Sequence, residues 1–230
     1  MNTYKYYLGI LIMCCTLFSN NVFAQEREKE IVFTEEDKKQ LQDRVKLKVE
    51  EFMGYLSDIV NKDLTYKQRT SSIDAALALF MGKGEPYYVT IEDTIRDEFD
   101  EIIEVSRRKE KRNAVRIQIS SLSRDNIKWS KVKTYLWNQY ENIHVYDNVV
   151  IQSADVVRVD NIYQVGNNQF EAVAYFCQKY VAYRDGRRVY GPDITGKKII
   201  VHIRAIDTPR GYTWDARFGD IYVTGTKRGK

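Results

Sequence analysis

His144, His202 and Cys177 are the only histidines and the only cysteine beyond residue 24. A zinc or iron site needs several such ligands at regular spacing. This chain has no His-x-x-x-His and no paired cysteine after residue 24, so no metal and no other cofactor is expected. Nucleophilic hydrolysis finds no support either, because Gly-x-Ser-x-Gly does not occur. Gly82-Lys83-Gly84 lacks the third glycine and the preceding strand of a phosphate loop, and reads as a helix stop.

What remains is acid–base chemistry, in which a carboxylate and a neutral hydrogen-bond donor act inside an apolar pocket. His202, Arg204, Asp215 and Arg217 form the polar face of the last predicted hairpin and are the candidate catalytic set. The same four would serve as a solvent-facing ladder of ion pairs, since two arginines beside a histidine and an aspartate favour pairing over a poised base. A second candidate surface is the segment 184–195, read as a long loop between strands. Its Arg187, Arg188 and Tyr190 suit contact with a protein or a glycan.

These residues must be positioned by elements, and the pattern of elements is legible. Thr34 followed by Glu35, Glu36 and Asp37 is a helix start, because the hydroxyl caps free amides and the carboxylates sit at the positive end of the dipole. Leu41, Val45, Val49, Phe52, Leu56, Ile59 and Val60 then recur at helical steps to about Asn61. Thr65 with Gln68 starts a second helix that carries Tyr66, Ile73, Leu77 and Phe80 and stops at Gly82 and Gly84. Strands are expected near 87–91 and 114–122, separated by a charged insertion at 92–112 that is acidic first and basic after Arg107. The insertion reads as a solvated hairpin or loop whose arms neutralise each other, or alternatively as a basic tip that meets an anionic surface. Ser123 or Asp125 is expected to cap a third helix bearing Trp129, Val132, Leu136 and Tyr140.

Beyond residue 144 the period changes to two. Segments 145–159, 169–183, 197–206 and 212–224 alternate apolar and polar residues, as half-buried strands do. Helices followed by long strands predict an α+β domain, with the N-terminal helices packed on a curved antiparallel sheet of about four long strands. If the last turn is Thr208 to Gly211, Ala205 faces Trp214, Ile203 faces Ala216 and Val201 faces Phe218 on one apolar face. The other face pairs Arg204 with Asp215 and His202 with Arg217. A slip of one residue would set Asp215 against Ile203, so the hydrophobic pattern selects this register.

The first 24 residues read as an export signal: Lys5 precedes an apolar run from Leu8 to Phe18, and Val22-Phe23-Ala24 ends in a small residue. The run falls well short of the ~20 residues that span a bilayer, and no second apolar stretch of that length follows. The expected product is periplasmic or secreted, with residues 25–33 a polar lead-in, 34–224 one domain and 225–230 a basic tail. Its one cysteine cannot form an intramolecular disulfide, so the core must supply stability. The aromatic content of 13%, led by 17 tyrosines, is enough to build such a core and excludes a disordered chain. The formal charge of +4 is too mild to imply a nucleic-acid partner.

The order of elements, together with Lys133-Thr134-Tyr135-Leu136, Asp193-Ile194-Thr195-Gly196-Lys197 and Trp214-Asp215-Ala216-Arg217-Phe218-Gly219-Asp220-Ile221, resembles the NTF2-like (cystatin-like) superfamily, in particular exported Bacteroidota-type members. The resemblance covers roughly residues 34–224 without the charged insertion. It implies a cone of sheet and helices whose open end holds a small ligand, an active site or a partner protein. The function expected from it is a non-catalytic binding or assembly module of the cell envelope, with a protein partner or a second copy as its ligand. The alternative is a small-molecule enzyme or carrier that holds a hydrophobic ligand in the cone.

Overall fold

The computed structural model describes residues 34–96, 98, 102–122, 124–155, 157–160, 162–166, 168–209 and 211–229. The expected signal at 1–24 and the lead-in at 25–33 lie outside the described residues.

Two capping boxes set the first two helices. In α1 (Glu35–Val60) the Thr34 hydroxyl accepts from the Asp37 amide while Asp37 reaches back to the Thr34 amide. Thr65 and Gln68 do the same for α2 (Tyr66–Ala78). The apolar stripe of α1, from Leu41 to Val60, is buried along its whole length, as its spacing predicts.

The sheet corrects the expected architecture. In place of helices on an antiparallel sheet of about four long strands, the chain builds a mixed sheet of eight strands and a separate two-stranded hairpin. The hairpin is β1 (Tyr87–Arg96) with β2 (Ile102–Arg112). The sheet contains β3 (Arg116–Ser121), β4 (Arg124–Lys131), β5 (Asn148–Ser153), β6 (Arg158–Val159), β7 (Tyr163–Gly166), β8 (Gln169–Arg184), β9 (Arg187–Thr208) and β10 (Gly211–Arg228). Its main order is β4-β3-β10-β9-β8-β5, with β6 and β7 also on β8. All pairings are antiparallel except β3 with β10, which meet in parallel at Ile117 and Ile221.

Two local readings change with it. Residues 124–131 are strand β4, and the third helix, α3 (Val132–Val145), begins only after Lys131, which supplies no side-chain cap. Trp129 therefore lies on the sheet, edge-on to Tyr222 and under the Arg116 guanidinium. Segment 184–195 is no loop: Asp185 and Gly186, both at positive φ, turn β8 directly into β9, and Arg187, Arg188 and Tyr190 belong to that strand. The charged insertion is a hairpin, one of the two forms expected of it, with most of its described residues in β1 and β2. Among the described residues its arms oppose acid to base in register only at Glu92 and Arg107.

The last hairpin has the register expected from the hydrophobic pattern. Ala205 faces Trp214, Ile203 faces Ala216 and Val201 faces Phe218, with Arg204 opposite Asp215 and His202 opposite Arg217. Its apolar face meets the helices: Phe218 packs edge-on against Phe52 of α1 and Phe80, which follows α2. Among the described residues no helix is long and apolar enough to cross a membrane.

Candidate functional site

From Asp193 to Ala205 of β9 the side chains that face the helices are those at odd positions. Ile199, Val201, Ile203 and Ala205 are apolar and pack in the core, but Asp193, Thr195 and Lys197 occupy the same face and are just as buried. Opposite them α3 ends in tyrosine and amide side chains. The strand and the helix thus line an open polar pocket of about 220 Å³, completed by Tyr180 of β8 and by Ser120 and Ser121 of β3.

Lys197 is 4% exposed. Its ammonium donates to the Gln118 carbonyl at 2.7 Å and makes no ion pair among the described residues. Burial lowers it from the ordinary 10.5 to about 7. Asp193, on the same strand face, is engaged: its Oδ2 accepts from the Leu122 amide at 3.1 Å and from the Tyr190 hydroxyl at 2.9 Å. Also in the pocket lining, Gln178 Nε2 donates to the Tyr135 hydroxyl at 3.0 Å. Asn142 Nδ2 donates to Gln139 Oε1 at 3.1 Å and to the Tyr180 hydroxyl at 3.3 Å. Burial pushes Tyr135 up to about 12 and raises Tyr180 as well, so both keep their protons at neutral pH.

A second concavity, about 550 Å³, lies between the β1–β2 hairpin and the sheet and is lined by Tyr87, Val89 and Arg112 of the hairpin with Glu171, His202 and Tyr222 of the sheet. Glu171 is opposite His202 in the β8–β9 register, and His202 Nδ1 lies 3.0 Å from Glu171 Oε1. Tyr163 donates to the other Glu171 oxygen at 3.1 Å. The hydrogen bond from His202 holds the Glu171 carboxyl below the usual carboxylate range, against the effect of burial.

The four candidates on the last hairpin are not gathered into one site. His202 turns to Glu171 in the cleft. Arg217 Nε reaches both oxygens of Asp215 at 3.0 Å, and its Nη1 donates to the Ala78 carbonyl at the end of α2. Arg204 is exposed. Of the second candidate group only Tyr190 borders the polar pocket; Arg187 and Arg188 are exposed beside the β8–β9 turn. Lys197, Tyr135, Gln178 and Tyr180 were not singled out by residue type. The signal for Lys197 was in the last hairpin's own register: counting back from Val201 on the inward face reaches Ile199, Lys197 and Thr195.

The chain matches no family model, no curated protein and no solved structure. These comparisons leave the NTF2-like resemblance resting on the sequence patches that suggested it.

Proposed function

We propose that this protein binds a small organic molecule and holds it in the Lys197 pocket, without chemistry assigned to the protein, as a carrier or sensor in the cell envelope. One observation carries the reading: a lysine 4% exposed, facing a pocket, with one backbone carbonyl as its hydrogen-bond partner. Burying a cation without an acid is unfavourable unless something else gains from it. At about 220 Å³ the pocket lies below the usual range for drug-sized ligands and fits a molecule of about one ring. The tyrosines around it offer flat apolar faces with polar tips.

A fragment screen by NMR on protein with labelled tyrosines tests this. Fragments that bind should shift Tyr135, Tyr180 and Tyr190 together, and Tyr180→Ala should weaken them about tenfold or more. A diverse library that moves none of these resonances would end the proposal.

A further inference from the structure

We infer that the molecule held is a small monocarboxylate, gripped by Lys197 Nζ together with the hydroxyls of Tyr135 and Tyr180, and that Lys197 binds a proton as it enters. The inference rests on the small-molecule reading of this pocket and names the class of ligand.

The argument is an accounting of donors and acceptors. An ammonium has three N–H donors, and the Gln118 carbonyl takes one. The hydroxyls of Tyr135 and Tyr180 each accept an amide N–H, from Gln178 and Asn142. Each O–H proton therefore remains to be donated. Against these donors stand three neutral amide oxygens, on Gln139, Asn142 and Gln178, the first already accepting from Asn142. The Asp193 carboxylate is held by the Leu122 amide and Tyr190. The pocket is thus short of an anion, and a carboxylate supplies two oxygens with four acceptor positions.

The titratable groups near Lys197 are few. Tyr135 comes from α3, Tyr146 from the residue after it, Tyr180 from β8, and Tyr190 and Asp193 from β9 itself. The lining from β3 is Ile119, Ser120 and Ser121, none of which titrates. Burial keeps Lys197 near half-protonation at neutral pH. Above that pH the empty site holds mostly neutral amine, and a carboxylate entering as its anion draws one proton from solvent onto Nζ. Charge then balances inside the pocket.

Calorimetry of the purified protein with benzoate and 3-phenylpropionate, each against its own amide, tests this at pH 8 in two buffers of different ionisation enthalpy. The carboxylates should bind at least tenfold tighter than the amides, with uptake approaching one proton. Their affinity should fall about tenfold per pH unit above pH 8. Lys197→Met should abolish the preference and the uptake while the amides still bind. Tyr135→Phe and Tyr180→Phe, which keep the ring and the fold, should each weaken the carboxylates several-fold. Amides that bind as well as the acids, or carboxylates that bind without proton uptake, would overturn the inference and leave the small-molecule reading standing. Failure of both classes, together with a silent fragment screen, would remove the reading itself.

Discussion

The buried Lys197 lowers the stability of the fold, and the effect depends on pH in a definite direction. In the unfolded chain the amine titrates near 10.5; in the folded protein burial brings it to about 7. Between these values the unfolded chain binds the extra proton, so stability rises with pH across that window, by at most about 1.4 kcal/mol per unit. Below pH 7 both states are protonated and the dependence vanishes. Melting temperatures between pH 7 and 9 should climb in the native protein and lose this component in Lys197→Met. At this scale the sequence was only partly informative. It contained His202 and Asp215, but Glu171 becomes visible only once β8 is set against β9, and a lysine announces burial only through its strand's register. Residue type suggests chemistry; the environment that shifts a lysine is built by neighbours far away along the chain.

Elements whose signals are local are legible in the sequence, and those decided by pairing are not. The capping boxes at Thr34 and Thr65 start helices where expected, because both partners lie within four residues. Thr65→Ala should cost about 1 kcal/mol, read as a lower urea midpoint with an unchanged slope. At Asp125 a similar signal misleads, while Ser123 lies outside the described residues. Residues 124–131 pair along β3 instead, and α3 starts at Val132, whose amide is bound by the Val115 carbonyl rather than by a cap. The Asp185-Gly186 turn is a strong hairpin signal inside a stretch whose length alone suggests a loop. Gly191, a few residues on, also needs its lack of a side chain: φ is +76°, and a Cβ there would collide with the Tyr180 carbonyl. Tyr180 is a wall of the pocket, so this backbone irregularity between β8 and β9 helps to shape the site.

For the molecule as a whole, β8, β9 and β10, of 16, 22 and 18 residues, form a platform used on two sides. The helices and the Lys197 pocket occupy one side, and the β1–β2 hairpin leans over Glu171 and His202 on the other. The alternating sequence foretold long strands but not the seat of β3 and β4, since one parallel pair, Ile117 with Ile221, joins segments about a hundred residues apart. Pairing at such separation has no local trace. A chain stopped after Thr208 should therefore lack protease resistance and dispersed NMR signals, because β3, which carries β4, and β9 lose the strand between them. The position of β10 also bears on the order of events during synthesis. Until residues 211–228 have been translated, the early strands have no place to dock, so the sheet closes late. If residues 1–24 direct export as their pattern suggests, that delay keeps the nascent chain loose enough to be threaded across a membrane before it folds.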